Sequence, residues 1–167
     1  MSTIMENQTS TERPTFLTIL CILSFVGLGW AIINNLFTIA FSSTGSWLYS
    51  FIQGELEKAL NEVSMTDPGA TVFLENLFDG VLKIISHLPL FGALGLVFAV
   101  VALVGVILMW GLKKTGFYLY VGAKVAMIFV PIAVVGFSFI SMMMTLSTFL
   151  GAAIFIVLYG LNFKHLK

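Results

Sequence analysis

Residues 88–110 read LPLFGALGLVFAVVALVGVILMW, and this stretch decides the fold. It carries no charged residue, and as a helix it would be about 35 Å long, which exceeds the roughly 30 Å hydrocarbon core of a bilayer. The whole chain agrees, with 59% apolar and 10% charged residues and a mean hydropathy of +1.04. Soluble domains carry about 25% charged residues. The sequence therefore predicts an all-α integral membrane protein, with lipid as its main solvent.

Small residues recur along this stretch at spacings of three, four, three and three, which predicts a stripe on one helix face. They are Gly92, Gly95, Ala99, Ala102 and Gly105. Because lipid gives helices no hydrophobic reason to associate, close backbone approach must hold them together. We expect these five residues to pack this helix more tightly than the others, against a helix of the same chain or of a second copy.

Three more apolar runs predict further spans, which makes four in total. The first run is too long for a signal peptide, whose apolar region covers about 7–15 residues, so we expect it to remain in the protein. We place the join between spans three and four at Ser141–Met144, a stretch without Gly, Pro or charge. The predicted order is a polar cytoplasmic N-terminus 1–14, span one 15–41, a segment 42–87, span two 88–111, a basic cytoplasmic loop 112–117, span three 118–140, span four 145–161 and a cytoplasmic tail 162–167.

Segment 42–87 differs from the spans because polar residues alternate with apolar ones at helical spacing. This pattern predicts two amphipathic helices joined by a turn at Thr66–Gly69, and thus a helical hairpin between spans one and two. We expect it to lie on the membrane surface or over the mouth of the bundle. Its acidic residues outnumber its lysines by six to two: Glu55, Glu57, Glu62, Asp67, Glu75 and Asp79 against Lys58 and Lys83. A solvated face explains these charges; a site for cations or for a basic partner is the alternative.

The lysine and arginine distribution predicts the orientation. With the N-terminus inside, five basic residues fall on the inner side and two on the outer side. The inner five are Arg13, Lys113, Lys114, Lys164 and Lys167. This imbalance favours cytoplasmic placement of both termini in the inner (plasma) membrane. Aromatic residues agree, since Trp110, Tyr118, Tyr120 and Tyr159 would form an inner belt.

Three residues are candidates for polar contacts within the membrane. Lys124 is the one ionisable residue well inside a span; it is either an anchor that reaches the headgroups or a contact for a ligand or an ion. Asn34 and Asn35 are adjacent and diverge by about 100° on a helix. They predict hydrogen bonds between helices, with a substrate contact as the alternative. Pro131 predicts a kink in span three.

The motifs of catalysis and metal binding are absent from the sequence. It lacks paired histidines or cysteines at ligand spacing, a phosphate-binding glycine loop and a G-x-S-x-G turn. We therefore expect no catalytic residue, no metal and no cofactor. Lys plus Arg and Asp plus Glu both number 8, so no overall charge favours nucleic acid.

These observations favour a non-enzymatic multi-pass membrane protein: a scaffold, an accessory subunit or an envelope-associated factor. A small transporter or channel acting as an oligomer is the alternative. The expected partners are the lipid bilayer and either another membrane protein or a second copy of the chain.

Two stretches carry a resemblance to a known group. RPTFLTILCILSF at residues 13–25 resembles the start of small uncharacterised four-span membrane proteins of Bacteroidota-type bacteria, and WGLKKTGFY at 110–118 is similar to their second loop. The resemblance implies a bacterial inner membrane and no particular activity. Small multidrug exporters fit less well because they need a carboxylate in the first span, and quinone-linked thiol oxidases need cysteine pairs, whereas this chain has one cysteine, Cys21.

Overall fold

The structure, a computed structural model, describes residues 14–42, 45–64 and 68–166. Within these ranges it has six α-helices, one short 3-10 turn and no strand. The helices are α1 Thr15–Phe41, α2 Gly45–Ser64, α3 Pro68–Ser86, α4 Leu88–Trp110, α5 Lys114–Val135 and α6 Phe139–Leu161, and the 3-10 turn is Phe163–His165. The predicted polar N-terminus (except Pro14), residues 43–44, residues 65–67 next to and within the predicted turn Thr66–Gly69, and Lys167 lie outside the described residues.

Four of the helices are candidate membrane spans. α1, α4, α5 and α6 have 22 to 27 residues each and are apolar enough to cross a bilayer by length and composition. The prediction of an all-helical chain with four such helices is therefore confirmed, and the fold is compatible with a multi-pass membrane protein.

Helix α4 lies at the centre of the bundle. It packs along both α1 and α5, whereas α6 packs on α5 and meets α1 at few positions. All five of the small residues in α4 are buried. A Cβ atom on Gly92 would lie 2.8 Å from Cγ1 of Ile39 in α1, and one on Gly105 would lie 2.8 Å from the carbonyl oxygen of Gly116 in α5. Both neighbouring helices thus approach the backbone of α4 where it has no side chain.

The sequence predicts that the stripe of small residues lies on one helix face. In the structure it does not stay on one face. Three of its four spacings are shorter than the 3.6 residues of a helical turn. From Gly92 to Gly105 the helix turns by about 1,300°, so the stripe ends about 140° around the helix from where it began. For this reason its first part faces α1 and its last part faces α5. One continuous pattern serves two neighbours.

The connection from α4 to α5 is shorter than the predicted loop 112–117. α5 begins at Lys114, after a turn in which Leu112 has a φ of 61° and the N–H of Lys113 donates to the carbonyl oxygen of Leu108 at 2.9 Å. Gly116, which the prediction placed in the loop, is buried in the first turn of α5. It faces the backbone of Gly105 and Met109, so it brings α5 close to α4 instead of breaking the helix.

The predicted join between spans three and four at Ser141–Met144 is wrong, because those residues lie inside α6. α5 ends at Val135 and is followed by Gly136, whose φ of 82° is in the left-handed region. Ser138 then caps α6: its Oγ accepts from the N–H of Ser141 at 3.2 Å, and the Oγ of Ser141 accepts from the N–H of Ser138 at 2.9 Å. This reciprocal capping box fixes the start of the helix. α6 therefore has 23 residues and begins at Phe139.

Helices α2 and α3 pack against each other, and α3 rests on the end of the bundle where α5 leads into α6. A Cβ atom on Gly80 would lie 3.3 Å from both Oγ of Ser138 and Cβ of Ile140. The ring of Phe73 meets that of Phe139 edge-on, with centroids 5.8 Å apart. Only His87 separates α3 from α4. α3 is therefore positioned by direct contact with the bundle, and α2 packs on α3.

Candidate functional site

A cluster of buried polar side chains lies at the end of the bundle opposite the hairpin. The hydroxyl of Tyr159 in α6 donates to Oγ of Ser24 in α1 at 2.8 Å. Tyr120 of α5 meets the Tyr159 ring at a centroid distance of 5.2 Å and interacts with Ser24 as well. Cys21 lies one turn from Ser24 and interacts with Tyr159. We call these four residues the tyrosine cluster.

The local sequence explains why these side chains converge. Cys21 and Ser24 belong to the buried stripe of α1, with Leu17, Leu20 and Leu28. Tyr120 stands one turn after Gly116, on the side of α5 that approaches α4. Tyr120 and Tyr159 are only 2% and 0% exposed. A buried hydroxyl without a partner costs about 1–3 kcal/mol, so the serine is what allows the tyrosine ring to be fully enclosed.

This burial corrects the predicted aromatic belt. Tyr118 is 64% exposed, as a residue at a membrane interface would be, but Tyr120 and Tyr159 face the interior of the bundle. All three lie near the ends of predicted spans, where tyrosines are common at the interface, and this position is why the sequence predicts an interfacial site for them. The helical spacing of Gly116 and Tyr120 was the available signal that Tyr120 shares the packed side of α5.

Lys124 lies beside the tyrosine cluster. Its Nζ is 5.6 Å from the centroid of the Tyr120 ring, one turn earlier in α5, in cation–π geometry. No Asp or Glu occurs in the sequence of any of the four long helices. The contact with the face of the Tyr120 ring therefore stabilises the ammonium group of Lys124 within the bundle.

The two candidate asparagines have different surroundings. Asn35 lies against α4, where a Cβ atom on Gly95 would overlap its side-chain amide. Its Nδ2 donates to the carbonyl oxygen of Ala31 at 2.7 Å, within α1. Asn34 is exposed. The structure therefore does not bring Asn34, Asn35 and Lys124 into one polar site.

A cavity of about 80 Å³ lies between α4, α5 and α6. Pro131 is one of its lining residues and has no N–H, so the carbonyl of Met127, which also lines the cavity, lacks its usual helical donor. The other lining residues are Phe91, Gly95, Val130, Met144 and Thr148, and the hydroxyl of Thr148 donates to the carbonyl oxygen of Met144 at 2.8 Å. The residues that line this cavity are mainly apolar, and Lys124 is not among them.

The part of the chain that the structure describes contains no cluster of side chains suited to bind a metal ion. There, no group of three His, Cys, Asp or Glu side chains could hold an ion.

Comparison of the chain with protein-family models, with curated proteins and with solved structures gives no match. The resemblance carried by residues 13–25 and 110–118 therefore stays a prediction.

The buried hydrogen bond between Tyr159 and Ser24 should contribute to stability. We expect Tyr159→Phe to lower the free energy of unfolding by about 1 kcal/mol, because it removes one buried donor. Ser24→Ala should cost about 1–3 kcal/mol, since it leaves the tyrosine hydroxyl without an acceptor. Unfolding in mixed micelles measures both. The double variant should lose less than the sum of the single losses.

Tyr118→Phe is the matched control, because this tyrosine is exposed and should tolerate the change. Equal effects of Tyr118→Phe and Tyr159→Phe would contradict the assignment, as would strict additivity of Tyr159→Phe and Ser24→Ala.

Proposed function

We propose that this chain is a non-enzymatic, multi-pass membrane protein that acts as a scaffold, accessory subunit or envelope-associated factor. The observation that carries the proposal is the filled interior of the bundle around Tyr120, the residue whose ring lies against Lys124. Val106, Met109, Tyr120 and Tyr159 are each 2% exposed or less. A transport path would need a polar opening at this lysine, and packed side chains occupy the neighbouring space instead.

The hairpin supports a role in binding a partner. Its surface carries the ion pairs Glu55–Lys58 at 2.7 Å and Asp79–Lys83 at 2.8 Å. Exposed pairs of this kind contribute little to stability, so the fold does not depend on them. A groove of about 420 Å³ between α2 and α3 is lined by Glu57, Leu60, Asn61, Thr71 and Glu75. This polar, acidic surface is held in place by α3 and is open to another molecule.

Helix α6 supports the accessory role from within the membrane. Only 11% of the residues in its most apolar stretch are buried, against 33% in α4. Phe149, Ile154 and Val157 are each at least 50% exposed. This long apolar face suits either lipid or a helix of another membrane protein.

A small transporter or channel that acts as an oligomer remains the alternative function. It would require a polar path between copies that reaches Lys124. The mainly apolar cavity within one copy does not have Lys124 in its wall, which favours the scaffold.

The orientation that we propose places both termini in the cytoplasm and the hairpin outside the inner membrane. Its support is the excess of basic residues on the inner side. In intact cells, a thiol reagent that does not cross the membrane should label Glu57→Cys in α2 and spare Thr115→Cys in α5. Both positions are exposed on the protein. The unaltered chain is the control, because Cys21 is 1% exposed. The reverse labelling pattern would contradict the orientation.

The test of the function is the mass and composition of the tagged protein, purified from its own membrane in mild detergent. We expect a second membrane protein in fixed ratio. Val157→Trp on the open face of α6 should release it, and Val97→Trp, at an equally exposed position on α4, should not. A homo-oligomer without another protein would contradict the accessory role. Ion flux in vesicles that is lost in Lys124→Ala would then establish the alternative.

A further inference from the structure

An exposed aromatic pair stands at the start of α2. The rings of Trp47 and Phe51 are stacked, with centroids 5.6 Å apart and planes inclined by 16°. Trp47 is nevertheless 66% exposed and Phe51 54% exposed. Large apolar surface that a protein leaves uncovered marks a site of interaction with another molecule or with a membrane.

The contact between α2 and α3 does not cover this pair. α2 packs mainly on α3, and its residue Leu56 is buried, at 8% exposure. Leu56 and Ile52 are one turn apart and share a side of the helix, while Trp47 and Phe51 share another. α2 therefore has two apolar edges, of which α3 uses one.

A second exposed apolar surface lies nearby along the chain, at the end of α1. The last turns of α1 carry a second stacked and exposed pair, Phe37 and Phe41, with centroids 5.8 Å apart. Phe37 also lines an apolar groove of about 220 Å³, together with Ile33, Leu36 and Ala40. Phe41 and Trp47 are six positions apart, which an extended chain spans in about 20 Å. If lipid covers the end of α1, the same lipid leaflet reaches the start of α2.

Charged residues limit how far along α2 this surface extends. Helical spacing places Glu55 and Lys58 on the same edge as Phe51, one and two turns further along. They form the exposed ion pair of 2.7 Å, which hydrocarbon would not tolerate. The apolar edge thus covers the first two turns of α2 and ends near Gly54.

We propose that the first two turns of α2 insert into the headgroup region of the lipid leaflet on the hairpin side, with Trp47 and Phe51 as the inserted side chains. The rest of α2 leaves the membrane at Gly54. Tryptophan is suited to this depth because its ring is apolar and its N–H can bond to headgroups or water. This inference rests on the proposed function, because it requires α1 to span the bilayer.

The test uses tryptophan fluorescence, since the chain has three tryptophans, Trp30, Trp47 and Trp110. In the variant Trp30→Phe/Trp110→Phe, Trp47 alone reports its surroundings. The protein is placed in phosphatidylcholine vesicles whose acyl chains carry a nitroxide quencher either near the headgroup or near the chain end. Shallow nitroxide should quench Trp47 several-fold more than deep nitroxide. Iodide on both sides of the vesicle should have little effect.

Two control variants provide a reference for the membrane interior and a reference for water. Trp47→Phe/Trp110→Phe leaves Trp30, which is 72% exposed in the middle of α1 and should respond to the deep quencher. Lys58→Trp, added to a chain in which all three tryptophans are Phe, should respond to iodide.

If Trp30 is not quenched by lipid, the proposed membrane-spanning function fails. If Trp30 responds as expected but iodide quenches Trp47, only the insertion of α2 is overturned. Shielding of Trp47 from both iodide and nitroxide would overturn it too, because protein and not lipid would then cover the pair. Equal lipid quenching at positions 47 and 58 would contradict the limit at Gly54.

Discussion

The close approach of α4 to its two neighbours is the constraint on which the rest of the structure depends. Gly95 leaves room for the amide of Asn35 on one side, and Gly105 faces Gly116 on the other. In a lipid environment such contacts must supply what the hydrophobic effect supplies in water. Because the small residues drift around the helix by about 140° between Gly92 and Gly105, a single helix can hold both α1 and α5. α6 is then added to α5 and tied to α1 by a buried hydrogen bond.

This arrangement determines what the two ends of the bundle can do. At one end the tyrosine cluster closes the interior, and Lys124 lies against an aromatic ring and not in the wall of the cavity. At the other end His87 alone joins α3 to the central helix, and Gly80 lets α3 lie directly on the start of α6. α3 is thereby held at a defined place on this end of the bundle, and α2 packs on it. The packed side chains around Tyr120 and the fixed position of α3 are the observations that support the proposed scaffolding role.

Hydropathy predicted the four long helices α1, α4, α5 and α6. Helical periodicity predicted α2 and α3, which lie between α1 and α4. These signals are local, so one sequence suffices to read them. The join between α5 and α6 was missed because its signal, Gly136 followed by Ser138 and Ser141, lies within an apolar run and depends on reciprocal capping. The contact between Tyr159 and Ser24 joins residues 135 positions apart. No spacing rule reaches that far, which is why the tyrosine cluster emerged only from the structure.

The most direct test of the central claim is a double-mutant cycle on Gly95 and Asn35, measured as the free energy of unfolding in mixed micelles. Gly95→Ala should destabilise the protein by about 1–3 kcal/mol, because the new Cβ overlaps the asparagine amide. In the Asn35→Ala background the same change should cost much less. Gly122→Ala is the control, since nothing lies within 4 Å of a Cβ there. An equal cost in both backgrounds, or a Gly95→Ala variant as stable as Gly122→Ala, would contradict the account.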